Sequence, residues 1–366
     1  MSAMRLGVEA AIVDGELLRG DISVEDGRVV AVGLAPKRGG GIAAPGFVDL
    51  QVNGFGGVDF AAADATAYRT AGNALLESGI TAYQPTLITA PEHDLVAALR
   101  EVPTESAGPR IIGVHLEGPF LSPKRLGAHP ADARRDPDRG LLERLLAAGP
   151  VAYVTLAPEL PGALELVDLL HERGIVVSCG HSDATAEQAA AAFDRGVRTV
   201  THLFNAMRPL GHRDPGIAGA ALARDDVIVQ VILDGHHLAE ETARVVWRAA
   251  AGRVALVTDA IAAAGTSDGT SLLGGVEVEI RDGVARRADG VLAGSVVTMI
   301  EAVRNLHALG APLVAAVAAA TSVPARAARR PGLGVLRLGG DADLLVLDDC
   351  LELRRVLRAG REQVAA

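Results

Sequence analysis

The chain has 366 residues, a formal charge of −10, 49% hydrophobic residues and only 3% aromatic ones. An acidic surface with so few rings argues against nucleic acid as a partner, and it repels phosphates at long range, so an anionic ligand needs a local basic cluster. Two cysteines, Cys179 and Cys350, make no disulfide framework and fit a reducing cytoplasm, while the opening MSAMRLGVEAAIVDGE reads as no signal peptide and no apolar run is long enough for a membrane.

Residues 1–44 alternate short apolar runs with turns: Val8–Val13, Asp21–Val24 and Val29–Val32, separated by Gly15-Glu16 and Asp26-Gly27. An Asp-Gly pair between β-rich runs signals a hairpin. Ala342–Leu347 and Leu351–Leu357 read the same way. Neither end has enough apolar surface to fold alone, so 1–44 and 332–366 are expected to pair into one small β-sandwich domain. Gly39-Gly40-Gly41 marks the crossing into the main domain, 45–331. It is no phosphate loop, because no lysine and serine follow it.

From Pro45 onward eight β-rich runs alternate with helical segments: Phe47–Val52, Ile80–Thr86, Ile111–Leu116, Val151–Leu156, Ile175–Ser178, Val197–Thr201, Val227–Leu233 and Val254–Thr258. Eight such units predict a (β/α)₈ barrel of the TIM type. The intervening segments Thr66–Ser78, Asp138–Ala148, Leu164–Arg173 and Ala239–Ala250 carry helix formers between capping signals. The link from the sixth run to the seventh, Arg208 to Gly216, is too rich in breakers for a full helix and reads as a functional loop.

Gly174–Met207 organises the chain. Two β-branched runs each finish at a histidine, His181 and His202, with a helix expected over Ala184–Arg195 between them, capped by Ser182 or Asp183 and ended by Gly196. A right-handed crossover makes the two strands parallel, so both imidazoles leave the sheet at its carboxyl end. Either histidine alone could simply cap a strand. A matched pair at the functional end points to metal or catalysis.

A barrel places its chemistry at the carboxyl ends of its strands. Those ends carry Asp49-Leu50-Gln51-Val52-Asn53, His115-Leu116-Glu117, His181, His202, Asp234-Gly235-His236-His237 and Thr258-Asp259. Glu117, His181 and His202 supply the His₂Glu set of a catalytic zinc, and Asp259 can take a proton from water and pass it to a leaving group. A buried salt bridge for Glu117 and a helix cap for Asp259 are the plainer readings of each residue taken singly. His115-Leu116-Glu117 mimics the H-x-E of nucleobase deaminases, but the P-C-x-x-C that must accompany it is missing. Cys179 reads as a small buried strand residue rather than a ligand.

The segments PGFVDLQVNG (45–54), GVHLEGPFLSP (113–123), GAHP (127–130), GHSDAT (180–185), THLFNAM (201–207), DGHH (234–237), VTDA (257–260) and LAGS (292–295) resemble those of the N-acetylglucosamine-6-phosphate deacetylase family, within the amidohydrolase superfamily. The resemblance runs in family order from about Pro45 to Leu309. It implies hydrolysis of the acetamido group of N-acetyl-D-glucosamine 6-phosphate, in amino-sugar catabolism or cell-wall recycling. It makes Glu117, His181 and His202 the metal ligands, Asp259 the general acid/base and His129 the group that binds substrate and polarises its amide carbonyl. The sugar and phosphate contacts fall on Ala128, Asn205, Ala206, Arg213, Asp234 and His237, with Leu292, Ala293 and Gly294 lining the sugar. A homodimer is implied as well, the neighbouring subunit completing the basic cluster in similar enzymes.

Two other readings compete. An amidohydrolase for a cyclic amide or ureide often carries H-x-H on strand one and a carboxylated lysine on strand four, and neither is present here. A non-enzymatic barrel would have no reason to keep all three ligands and Asp259. Where many relatives hold a second metal, this chain has Gln51-Val52-Asn53, and neutral amides are poor ligands for such a dication. One divalent ion per chain is therefore expected, zinc or another divalent transition metal, with Gln51 and Asn53 bonding to polar groups in the vacant second position or capping the strand end.

Overall fold

The computed structural model describes residues 3–35, 40–105 and 108–363; Gly39, read as part of the crossing between domains, lies outside them, as do the chain's outermost residues. Eight parallel strands follow one another in space in chain order: β1 (Phe47–Val52), β2 (Ile80–Ile88), β3 (Val114–Glu117), β4 (Val151–Leu156), β5 (Val176–Cys179), β6 (Thr199–Val200), β7 (Ile228–Val231) and β8 (Val254–Leu256). A parallel bridge between Val52 and Ala260, and the Asn53 amide donating to the Ala260 carbonyl at 2.7 Å, bring the last strand back to the first. This is the predicted (β/α)₈ barrel.

Alternation along β3 to β7 explains how the barrel is stabilised and why its interior is polar. Val114, Leu116, Val154, Leu156, Val177, Val200, Val229 and Val231 join helix residues such as Leu145, Leu170 and Phe193 in the largest buried apolar cluster. The residues between them, His115, Tyr153, Thr155, Ser178, Thr199, Thr201 and Gln230, are buried too. They bond to one another: His115 Nε2 lies 2.8 Å from Thr155 Oγ1, Thr155 Oγ1 2.8 Å from Thr201 Oγ1, and Thr201 Oγ1 2.7 Å from Ser178 Oγ. Buried hydroxyls are tolerated because each finds a partner.

The sequence boundaries shift where tertiary packing intervenes. The third run splits into Arg110–Ile111 and β3 around Gly113, whose φ of 100° and close approach to Ala152 leave no room for a Cβ. The helix after β5 is Ala186–Asp194, and its N-cap is Thr185 rather than Ser182 or Asp183. Thr185 and Gln188 form a capping box, while Ser182 and Asp183 are engaged elsewhere, on Glu159 and on cationic side chains. Gly196 follows with φ of 97°, the left-handed position that ends such a helix. The link after β6 is irregular up to Pro215 and then forms a helix of seven residues, Gly216–Leu222.

The termini pair as expected. In a six-stranded sheet, Leu344–Leu347 runs antiparallel to Ile42–Pro45, which in turn pairs with Ala10–Val13. A second sheet of Met4–Arg5, Asp21–Glu25 and Arg28–Leu34 closes a core containing Val8, Ile22, Val29, Ala43, Leu344 and Leu357. One element is absent from the sequence reading: an antiparallel sheet of Gly269–Leu273, Val276–Arg281 and Val284–Arg286, inserted between β8 and the helix Met299–Ala308. Its period-two stretch VEVEIR followed by Asp282-Gly283 was a hairpin signal. Among the described residues no helix is long and apolar enough to cross a membrane.

Candidate active site

Three strand ends turn their side chains inward by the same backbone device. His181, His202 and Asp259 have φ of 47°, 29° and 50°, in the left-handed region that non-glycine residues adopt at a cost of about 1 kcal/mol or more. Gly180 lets this happen after β5, since a Cβ there would lie 2.8 Å from Thr155 Cγ2. Glu117 needs no such turn, because it lies two residues beyond His115 on the inward face of β3.

Glu117 Oε1 lies 3.2 Å from His181 Nε2 and 2.9 Å from His202 Nε2, and the two nitrogens are 3.1 Å apart. Ligands held 2.0–2.1 Å from a tetrahedral ion stand about 3.3–3.4 Å from one another, so this triangle is close to the size a metal requires. The hydrogen positions argue the same way. His181 Nδ1 donates to the Arg125 carbonyl at 2.9 Å, which leaves Nε2 as the ring atom that meets Glu117 and could turn a lone pair on a metal. With no metal bound, a proton on the ring bridges that contact; a metal would take its place. Arg125 is itself held by an ion pair with Asp183 at 2.8 Å.

His129 belongs to the same cluster: one ligand atom each from Glu117, His129 and His181 lie within 4.8 Å of one another. It stands apart from the tighter triangle, with Nε2 3.5 Å from the other carboxylate oxygen, Glu117 Oε2. We take His202 rather than His129 as the third candidate ligand on that distance. His115 is not a competitor, because its ring is used in the threonine layer.

Gln51 and Asn53 occupy the ground between the acids. Gln51 Nε2 donates to Glu117 Oε1 at 3.0 Å and Asn53 Nδ2 donates to Asp259 Oδ1 at 2.8 Å. Burial pushes Asp259 up to about 7, with the negative charge of Glu117 adding to the effect. Burial would raise Glu117 as well, but the three imidazoles around it outweigh that and hold it well below the usual carboxylate range. For His129, burial first and the neighbouring His181 second depress the ring to about 4, so it is neutral at pH 7.

A cavity of about 210 Å³ opens on these groups, lined by Glu117, His129, His181, His202 and Asp259 and by Asn53, Gly127, Ala128, Asn205, Ala206, His237, Leu292 and Gly294. Ile88 and Ile232 add apolar wall, as do Leu273 and Val291, brought by the inserted sheet and the segment after it. Asp234 does not line the cavity; it holds His237, accepting from Nδ1 at 2.7 Å. Burial opposes ionisation of Asp234, yet His237 and two backbone amides bring it down to about 2. Ala293 is buried in the apolar cluster behind the wall. Arg213 is exposed in the loop after β6, outside the lining, and among the described residues it makes no hydrogen bond or ion pair.

A model of the amidohydrolase family matches residues 42–362. The chain is 38% identical to N-acetylglucosamine-6-phosphate deacetylase of Homo sapiens, over 94% of this chain and 92% of that one. It is 34% identical to N-acetylgalactosamine-6-phosphate deacetylase of Escherichia coli O157:H7, over 99% and 98%. Among solved structures, a mutant N-acetyl-D-glucosamine-6-phosphate deacetylase of Mycobacterium smegmatis in complex with N-acetyl-D-glucosamine-6-phosphate superposes with a TM-score of 0.95 at 39% identity, covering all of both chains. The Thermotoga maritima N-acetylglucosamine-6-phosphate deacetylase superposes with a TM-score of 0.90 at 32% identity, over 99% of this chain and 100% of that one.

Proposed function

The chain belongs to the amidohydrolase family, and we propose that it is a metal-dependent hydrolase that deacetylates N-acetyl-D-glucosamine 6-phosphate to D-glucosamine 6-phosphate and acetate. The observation that carries this reading is the meeting, in one cavity, of a ligand-sized triangle of acceptors with a buried carboxyl, Asp259.

Glu117, His181 and His202 would hold one divalent ion per chain, and we expect zinc. Such an ion supplies Lewis acidity and makes water nucleophilic at neutral pH. Asp259 accepts a proton as the water oxygen bonds to the acetamido carbon, then passes it to the nitrogen as the carbon–nitrogen bond breaks. Asn53 orients that carboxyl through its amide. His129 faces the substrate carbonyl, and Gln51 supports Glu117, its amide standing where a second metal would need a ligand.

Ala128, Asn205, Ala206, Leu292, Ala293 and Gly294 form the sugar site in this reading, with Asp234 positioning His237. No lysine or arginine lines the cavity among the described residues, so phosphate recognition falls to His237 and to Arg213, brought in by a homodimer. The two terminal pieces, 1–44 and 332–366, act as a small support domain for the barrel at 45–331, and the enzyme works in the cytoplasm.

The test is acetate release by the zinc-loaded protein from N-acetylglucosamine 6-phosphate, from its galacto epimer and from the unphosphorylated sugar. Turnover should be highest on the first, and absence of acetate from all three would sink the reading.

A further inference from the structure

We propose that Thr89, just past the end of β2, is a positioning residue that fixes His129 with its ring hydrogen on Nε2, the atom that stands 3.5 Å from Glu117 Oε2 at the cavity, so that an N–H donor is held there. The Thr89 amide lies 3.3 Å from His129 Nδ1 and its hydroxyl lies 2.9 Å from the same atom. A backbone amide can only donate. Nδ1 must therefore offer its lone pair, and in the neutral ring the hydrogen sits on Nε2. The hydroxyl is nearer to Nδ1 than to the Glu117 carbonyl at 3.3 Å and donates to the ring; donation to that carbonyl would leave its oxygen facing Nδ1 as an acceptor and call for a hydrogen there, which the amide opposes.

His129 and His181 thus present opposite faces to one cavity. A carbonyl, that of Arg125, takes the Nδ1 hydrogen of His181 and frees its Nε2 as an acceptor; an amide, that of Thr89, does the reverse for His129. Nε2 of His129 then suits a carbonyl oxygen that gains negative charge as the tetrahedral intermediate forms, and it is unsuited to bind a metal. The identity of that carbonyl rests on the deacetylase reading; the position of the hydrogen does not.

Nitrogen-15 spectra of histidine-labelled, zinc-loaded protein report the tautomer, with His129 identified by the signals lost in His129→Asn. An unprotonated Nδ1 and a protonated Nε2 are expected, and a hydrogen on Nδ1 would overturn the proposal. Thr89→Val keeps the amide and removes the hydroxyl, and should lower kcat about three- to tenfold, the worth of one neutral hydrogen bond, with KM little changed. Thr89→Ser should restore kcat. Unaltered kcat and tautomer in Thr89→Val would show that the hydroxyl positions nothing. Should the wild type release no acetate yet show hydrogen on Nε2, the deacetylase reading fails and the assignment of Thr89 stands.

Discussion

In the proposed binding mode the two ends of the substrate would meet very different parts of this molecule. At the acetamide end, Glu117, His129, His181, His202 and Asp259 are all buried, come from separate strand ends or loops, and stand within hydrogen-bonding reach of a neighbour in the site. At the phosphate end, His237 is held by Asp234, but Arg213 lies exposed on an irregular loop that Arg208 and Asp214 tie together at 2.6 Å. Bond making and breaking needs atoms fixed to fractions of an ångström, which buried strand ends provide. Attraction for a dianion falls off slowly with distance, so its cation can sit on a loop and be brought in by assembly.

The most severe way to break the acetamide end is Glu117→Gln. Dialysed protein should hold no metal, and kcat/KM should fall about 10⁴-fold or more. Full metal content in this variant would mean that the ligand set lies elsewhere.

Asp259→Asn should keep metal and fold while lowering kcat by about 10²- to 10⁴-fold, because an amide cannot accept the proton from water. Turnover near that of the wild type would remove Asp259 from the mechanism.

Asp49, on the first strand below Gln51, tests the buried floor of this end. Burial pushes its carboxyl up to about 7, against hydrogen bonds led by Thr258 Oγ1 at 2.6 Å. Between about pH 4 and 7 the folded state keeps a proton that the unfolded state has lost, so the contribution of Asp49 to stability is full below about 4 and is lost as pH rises to 7. The loss is on the order of 4 kcal/mol. Asp49→Asn, an imitation of the protonated acid, should flatten that part of the slope in urea unfolding at pH 5 and 8. Identical slopes in both proteins would show that the folded state holds Asp49 ionised.

The phosphate end should respond more mildly and more selectively. Arg213→Ala should raise KM for the 6-phosphate about 10- to 100-fold, the range of a charge-assisted bond, and leave the unphosphorylated sugar little affected. Equal losses on both substrates would give Arg213 a structural role instead and erase the contrast between the two ends.

Much of the barrel was legible because its signals are local. The ranges Phe47–Val52 and Val151–Leu156 come out as read, and the helix expected over Thr66–Ser78 runs from Ala65 to Glu77. Local signals also mislead when several residues compete for one role. Ser182, Asp183 and Thr185 are all sound caps, and which one caps is decided by Glu159, Lys124 and Arg125 drawing the first two away. The inserted sheet falls outside the eightfold alternation although VEVEIR is a fair strand, because a ninth β segment has no place in that pattern. Thr89 belonged to no motif, and its part in the site was invisible.

The sequence by itself determined the eightfold alternation, the pairing of the termini and the side chains that the strand ends offer, since propensity and periodicity act over a few residues. Only the tertiary structure decided which atom faces which. His129 meets Thr89 across 40 residues, Gln51 meets Glu117 across 66 and Asn53 meets Asp259 across 206. Donor and acceptor roles depend on sub-ångström separations between such distant segments, and those are set by barrel closure and core packing rather than by any stretch of chain read alone.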